Sequence, residues 1–391
     1  MFQKVLILSA SAGAGHIRAA QAIEKAFLQL NAAREVRNID TLEYTNKIFQ
    51  KLYSQAYIEL VNKAPDVLGW LYDQLDKPWQ NERRRLAFDK LNTRPFVKML
   101  RQYQPEITVC THFLPAEIIS WLRAKNRLDT RQAIVITDFD VHAMWLCHHY
   151  EHYFVALDET AVHLQQLGIP SEKITVSGIA IDPVFAEHKD SRALRRKYGL
   201  DPALPTILLS AGGFGVGPVE QVMQSLVKMQ TRVQIVAACG RNEDLKNRIQ
   251  NFSAGLGPDC NVRIVPIGYT TDMDEYMSAS DLMLGKPGGL TASEALAKAL
   301  PLVIINPIKG QEERNADHLL EEGVAIRCNN LPALAYKIAQ LLNDPARLNS
   351  MRTNAKRLGR PRSACEIVEK LLSLRSTWMH KASVDNNTTK P

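Results

Sequence analysis

The sequence predicts an α/β protein built from two successive Rossmann-like domains. Three observations lead there. Apolar runs of strand length recur along the chain, separated by stretches with helical spacing. Many of these runs end in loops bearing glycine or proline, the usual place for ligands in a doubly wound sheet. The series halts at Gly178–Phe185 and restarts at Thr206, and 391 residues exceed one domain of ~100–200.

The elements follow in order. Val5–Ala10 is an apolar run ending in small residues, Ala19–Leu30 has helical periodicity, and Val36–Asp40 reads as a second strand. Thr41–Asp76 is aromatic-rich and helix-like, broken at Pro65, and Glu82–Gln104 is a further helix. Strands resume at Ile107–Thr111, Ala133–Thr137, Tyr153–Leu157 and Ile174–Ser177. The second series has strands at Thr206–Ala211, Gln234–Ala238, Val262–Val265, Leu282–Leu284 and Leu302–Ile305, with helices between them. After Leu331 the pattern is helical to about Trp378. These spans divide the chain into a first domain over 1–180, a second over 181–375 and a disordered polar tail over 376–391.

Hydrophobic residues make up 46% and charged residues 23%, which excludes a mainly disordered or collagen-like chain. The net charge of +7 is local: residues 345–391 carry 10 Lys/Arg against 3 Asp/Glu, and residues 77–101 carry 8 against 2. Two readings fit these patches, solvated helix faces or a surface for an anionic partner. The six cysteines form no CxxC pair and lack zinc spacing, so they read as reduced thiols of a cytosolic protein. The first residues lead into a strand and are too short and too polar afterwards for a signal peptide. No run of ~18 apolar residues exists, so any membrane contact is peripheral.

Three loops could carry chemistry. Ser9-Ala-Ser-Ala-Gly13-Ala-Gly15-His16 lies between strand and helix, where backbone amides meet anions or polar ligands. Arg18 stands where a dinucleotide fingerprint needs Gly or Ala, so a nicotinamide enzyme using Asp40 on a ribose is the weaker alternative. His16 at the helix start is a general-base candidate, or a local capping residue. Gly212-Gly-Phe-Gly-Val-Gly-Pro218 follows a strand, and Gly213, Gly215 and Gly217 let backbone approach a ligand. Asp281-Leu-Met-Leu-Gly-Lys-Pro-Gly288-Gly289-Leu290-Thr291-Ala-Ser-Glu294 is the most specific: a strand runs into a helix whose first amides suit a diphosphate. Glu294, one turn after Leu290, can accept from a ribose diol, and Gln311 and Glu312 open the next helix beside sugar hydroxyls.

These residues resemble the monogalactosyldiacylglycerol synthase type of glycosyltransferase, in glycosyltransferase family 28. The likeness rests on SASAGAGH, Thr137-Asp138-Phe139 with His142 and Trp145, Val176-Ser-Gly-Ile179, Gly212-Gly-Phe-Gly215, Gly268-Tyr269, Lys286-Pro-Gly-Gly-Leu-Thr291 and Gly310-Gln-Glu with Asn315-Ala316, and spans roughly residues 2–375. It implies a GT-B fold, with an active site between the two domains and a C-terminal helix crossing back to the first. It also implies inverting transfer from a UDP-sugar, UDP-glucose or UDP-galactose. By the same resemblance Glu294 holds the ribose, Gln311 and Glu312 contact the hexose, and backbone near Tyr269 reads uracil. The Gly213–Gly217 loop and Gly288–Thr291 hold the diphosphate. His16, with Gly15 beside it, is the base or positions the acceptor, and Asp138 is a rival base or the orienter of His16.

The function expected is transfer of a hexose to 1,2-diacylglycerol, giving a β-glycolipid at the cytoplasmic face of the cell membrane. The rivals are a GT-B transferase on another lipid-linked acceptor, a UDP-sugar epimerase, and an inactive membrane-binding protein. Asp138-Phe-Asp140 spells a DxD, but it lies in the half away from the donor motifs, and a helix terminus can neutralise a leaving diphosphate, so no metal or other cofactor is expected. Neither basic run resembles a nucleic-acid module. Residues 48–75, rich in large apolar side chains including Trp70, precede Arg83, Arg84 and Arg85; together they read as a bilayer-docking surface on anionic lipid, or else as core.

Overall fold

The computed structural model describes residues 1–11, 13–45, 70, 74, 76–79, 94–212 and 218–388. The expectations for Gly213, Gly215, Gly217, Arg83, Arg84 and Arg85, and most of the aromatic segment 48–75, lie outside the described residues. The chain divides into two units, Met1–Pro183 with Arg362–Pro391, and Val184–Pro361.

In the first unit six parallel strands form one sheet: β1 (Phe2–Ser9), β2 (Ala33–Asp40), β3 (Ile107–Cys110), β4 (Arg131–Val135), β5 (His152–Val155) and β6 (Ile174–Val176), in the order β2-β1-β3-β4-β5-β6. Among its described residues are the helices α1 (Ala14–Gln29), α2 (Arg94–Tyr103), α3 (Phe113–Ala124) and α4 (Asp158–Gln166). Strands β1, β3 and β5 are wholly buried in their centres, as near-continuous apolar runs covered on both faces should be. Alanines at 19, 20, 22 and 26 with Ile23 and Phe27 form the buried stripe of α1. The chain leaves β1 for β2 on one side, and β3 pairs with β1 on the other. The loops after β1 and β3 therefore diverge, which opens a crevice at the carboxyl ends of these two strands.

The second unit holds β7 (Thr206–Ser210), β8 (Val233–Ala238), β9 (Val262–Ile267), β10 (Leu282–Gly285), β11 (Leu302–Ile304) and β12 (Ala325–Arg327), all parallel, in the order β12-β11-β10-β7-β8-β9. Its helices are α5 (Ser191–Lys197), α6 (Val219–Leu226), α7 (Glu243–Ala254), α8 (Met273–Ala279), α9 (Gly289–Ala297), α10 (Gln311–Glu321), α11 (Leu334–Leu342) and α12 (Pro345–Leu358). The switch in winding falls between β7 and β10. There Gly285 pairs with Ser210, and a side chain at 285 would bring its Cβ to 2.9 Å from the Ser210 carbonyl oxygen. Only glycine lets these two strands close.

The last helix, α13 (Ser363–Thr388), belongs to the first unit and packs on α1. Ser363 Oγ accepts the Ile181 amide at 3.1 Å. Ala364, Ile367, Val368 and Leu371 repeat at helical spacing and are fully buried. Arg375 pairs with Glu106 at 2.6 Å and lies over the Phe2 ring, and Arg131 lies over Trp378. The helix thus crosses back as the resemblance implied. Two boundaries differ from the sequence reading: residues 362–375 belong with the first unit, and the segment from 376, read as disordered, continues as helix to Thr388.

Candidate active site

Each unit gathers candidate residues at its own switch point. In the first, β1 ends at Ser9 and its loop is held by Asp40, whose Oδ1 accepts the amides of Ser11 (3.1 Å) and Leu42 (3.0 Å). This carboxylate ties two loops together, which leaves it a poor ribose ligand and weakens the nicotinamide alternative. His16 lies in the first turn of α1, next to Gly15. Its Nδ1 is 2.9 Å from the Thr111 carbonyl oxygen and 2.9 Å from Thr137 Oγ1. Thr111 Oγ1 in turn donates to the His16 carbonyl at 3.0 Å. So β1, β3 and β4 each contribute their carboxyl end to one imidazole.

Aromatic rings close around it. The His112 ring stands edge-on at 4.6 Å between centroids, and Trp145 lies at 6.3 Å. His112 caps α3 by accepting the Leu114 amide on Nδ1 at 3.0 Å. Trp145 sits on a short turn that His142 caps the same way, through the Met144 amide at 3.1 Å. Tyr153, fully buried, fixes that turn by donating to the Trp145 carbonyl and accepting the Cys147 amide, each at 2.9 Å. Asp138 follows Thr137 and is 7% exposed. Asp140 Oδ1 accepts the Val141 amide at 2.7 Å and lies 3.7 Å from His163 Nδ1, so this carboxylate serves its own loop. Trp70 is exposed.

Burial pushes the His16 imidazole down to about 4, with the Thr111 carbonyl opposing that shift. His112 is held well below its usual value by burial and by His16. His152 on β5 is pushed down to about 4 by burial, then by Lys370 and Lys173. Above pH 6.5 both folded and unfolded chains hold these groups neutral. As pH falls from 6.5 towards 4 the unfolded chain takes up protons that the native chain refuses, so stability declines across that window. The urea midpoint should fall steadily between neutral pH and about 4, and His152→Gln should flatten the slope. A pH-independent midpoint would refute the assignment.

In the second unit, a cavity at the switch point is lined by Ser210 and Ala211 after β7, Lys286 after β10, and Asn306 after β11. Beside it α9 starts at Gly289, and its first amides project from Gly289, Leu290 and Thr291. The next helix, α10, is drawn against this terminus. Asn315 Nδ2 donates to the Pro287 carbonyl at 3.2 Å, and Glu312 Oε1 lies 3.8 Å from where a Cβ on Gly288 would stand. Glu312 Oε2 accepts the Ile308 amide at 2.7 Å. Burial raises its carboxyl above the usual value, opposed by that amide and by Lys286. Gly310, at φ +88°, makes the turn that presents Gln311 and Glu312 at the start of α10. Glu294 is 1% exposed inside α9. Tyr269, after β9, is 60% exposed, with the Arg241 guanidinium 5.0 Å from its ring centroid.

The structure therefore joins Gly288, Gly289, Leu290, Thr291 and Glu312 at one pair of helix starts, with Gln311 opening α10, and sets His16 beside Thr137, the residue before Asp138, at the end of the other sheet. Sequence reasoning missed Thr111 and His112. Their signal was a polar pair directly after an apolar run, but their relevance depends on β3 lying next to β1.

Comparison with known proteins agrees with this architecture. The family described as Monogalactosyldiacylglycerol (MGDG) synthase matches residues 16–181, and Glycosyl transferases group 1 matches residues 195–358. The processive diacylglycerol beta-glucosyltransferase of Staphylococcus saprophyticus is 30% identical, covering 98% of this chain and 95% of that protein. Its namesake in Bacillus subtilis is 28% identical over 95% of each chain. Among solved structures, MurG of Acinetobacter baumannii superposes with a TM-score of 0.60 at 15% identity, covering 94% of this chain and 98% of its own. The UDP-GlcNAc 2-epimerase of Neisseria meningitidis, solved with UDP-GlcNAc, also gives 0.60 at 15% identity, covering 95% and 100%. These two likenesses speak for the fold, and that fold is GT-B. With a 30% identical relative aligned along almost its whole length, the chain belongs to the monogalactosyldiacylglycerol synthase and diacylglycerol glucosyltransferase group of glycosyltransferase family 28.

Proposed function

We propose that this protein is an inverting glucosyltransferase that moves glucose from UDP-glucose to the 3-hydroxyl of 1,2-diacylglycerol, forming a β-glucosyldiacylglycerol. The observation that carries this reading is the 30% identity to a diacylglycerol beta-glucosyltransferase over 98% of the chain. The relatives' names favour glucose over galactose. The epimerase and peptidoglycan-type alternatives draw only on neighbours at 15% identity, a level that speaks for the fold alone.

The residues divide the chemistry. A lipid hydroxyl is a weak nucleophile, and the neutral His16 imidazole takes its proton as the oxygen attacks the anomeric carbon. Displacement from the opposite face inverts that centre and releases UDP. The α9 amides at Gly288–Thr291, with the Gly213–Gly217 loop, meet the developing negative charge. Glu294 takes the ribose hydroxyls, Gln311 and Glu312 take the hexose, and backbone at Tyr269 takes uracil. Asp138, which follows Thr137 in the chain, shapes the acceptor side. Fixed amides supply the electrostatic stabilisation, so no metal is assigned.

Incubation with UDP-glucose or UDP-galactose and dioleoylglycerol in phosphatidylglycerol vesicles, with and without EDTA, tests the reading. The expected product is β-glucosyl lipid from UDP-glucose, insensitive to EDTA. Change of the free UDP-sugar without lipid product would overturn it, and EDTA loss restored by magnesium or manganese would return the metal to Asp138 and Asp140.

Among the described residues no helix is long and apolar enough to cross a membrane. We place the protein peripherally on anionic lipid at the cytoplasmic face, through the aromatic segment bearing Trp70 and through Arg83, Arg84 and Arg85. Each basic residue adds ~1 kcal/mol near such a surface. Replacing the three arginines by glutamate should weaken sedimentation with phosphatidylglycerol vesicles at low salt while sparing UDP binding. Unaltered sedimentation would remove this patch from the docking surface.

A further inference from the structure

His16 faces two oxygens through one nitrogen, and their chemistry is unequal. The Thr111 carbonyl can only accept a hydrogen bond, and it lies 2.9 Å from Nδ1. A lone pair on Nδ1 would face that oxygen's own lone pairs. Nδ1 therefore carries the hydrogen, and the Thr137 hydroxyl oxygen, also 2.9 Å away, is the second acceptor of a shared N–H bond. This leaves Nε2 with the free lone pair. Thr137 is 5% exposed, so its hydroxyl is fixed rather than solvated. Its neighbour Thr111 is itself locked, since Oγ1 donates to the carbonyl of His16 at 3.0 Å. The titratable group facing the ring, His112, has its own Nδ1 engaged by the Leu114 amide, which places its hydrogen on Nε2.

We propose that Thr137 is a positioning residue for His16: its hydroxyl oxygen, with the Thr111 carbonyl, holds the imidazole as the Nδ1–H tautomer with Nε2 aimed as the base, and supports the imidazolium formed when Nε2 takes the proton. A backbone carbonyl and a hydroxyl thus fill the position at which a carboxylate orients the histidine of a serine hydrolase triad. The protonation step balances simply. The acceptor O–H bond breaks, Nε2–H forms, and the Nδ1–H bond to the two oxygens strengthens as the ring becomes cationic. The inference rests on His16 being the base in the proposed reaction.

Three measurements separate the possibilities. Nitrogen-15 NMR of the full chain, labelled at histidine, should report His16 as the Nδ1–H tautomer in the absence of any substrate. Thr137→Val, which keeps shape and removes the hydroxyl, should lower kcat about tenfold, the rate equivalent of one hydrogen bond of about 1.4 kcal/mol. The KM for UDP-glucose should stay within about twofold, because no donor contact is touched. The acid limb of the kcat profile should move to lower pH, since the lost acceptor had favoured the cation. Thr137→Ser should recover most of the lost turnover. An Nε2–H tautomer in the spectrum overturns the proposal. So does a Thr137→Val enzyme with unchanged kcat and acid limb, or a serine variant as slow as the valine one. If His16→Ala itself retains turnover, the base assignment fails first, whereas a dead His16→Ala beside a fully active Thr137→Val refutes the positioning role alone.

Discussion

His16→Ala should lower turnover by about 10²–10⁴-fold, the range for loss of a general base, while UDP affinity measured by calorimetry stays unchanged. The size follows from the setting of the ring. Burial keeps the imidazole neutral down to about pH 4, so at neutral pH the ring is in the form that accepts a proton. None of the residues proposed to bind the donor is removed, because they lie in the other unit. His16→Gln should not recover the activity, since an amide forms hydrogen bonds but does not take up a proton at these pH values. If His16→Ala stays active and Asp138→Asn is crippled, the two residues exchange roles.

Glu294→Ala should raise the Kd for UDP by one to several orders of magnitude. A carboxylate that accepts from both ribose hydroxyls loses two charge-assisted bonds, each of about 1.5–3 kcal/mol. Glu294 is 1% exposed in the second turn of α9, so its side chain is held in place before the donor arrives and little ordering cost offsets the bonds. Glu294→Gln, which keeps the shape and loses the charge, should fall between alanine and the native residue. Thermal melting of each variant separates lost binding from lost packing. Wild-type UDP affinity in Glu294→Ala would falsify the ribose assignment.

The strands were legible because a parallel strand covered on both faces is a short apolar run, and Leu6–Leu8, Ile134–Val135 and Val233–Ala237 advertise themselves. Ala325–Arg327 did not, since three residues between Gly323 and Cys328 carry no periodicity of their own and form a strand only because β11 lies beside them. The loop after β10 was legible for a local reason as well: strand, Lys-Pro-Gly-Gly and helix start are contiguous in sequence. The surroundings of His16 were not. His16, Thr111 and Thr137 are separated by 95 and 121 positions, and only the order β2-β1-β3-β4 brings their loops to one ring. The approach of Glu312 to Gly288 has the same origin. The tail was misread because the contact that holds its start, the Arg131 guanidinium over the Trp378 ring, comes from a strand distant in sequence, and a polar helix held in this way looks disordered to any local rule.

The return of α13 makes the second unit an insertion within the first. On the ribosome, the second unit has all its strands and helices once Pro361 has emerged, and it can fold as a contiguous piece. The first unit, although its strands are translated earlier, lacks the layer that covers α1 until α13 has emerged. Its completion therefore waits until α13 has been made. A stop codon shortly after Pro361 would leave the second unit whole and strip α13 from the unit that holds His16, so truncation there should register as failure of the amino-terminal half.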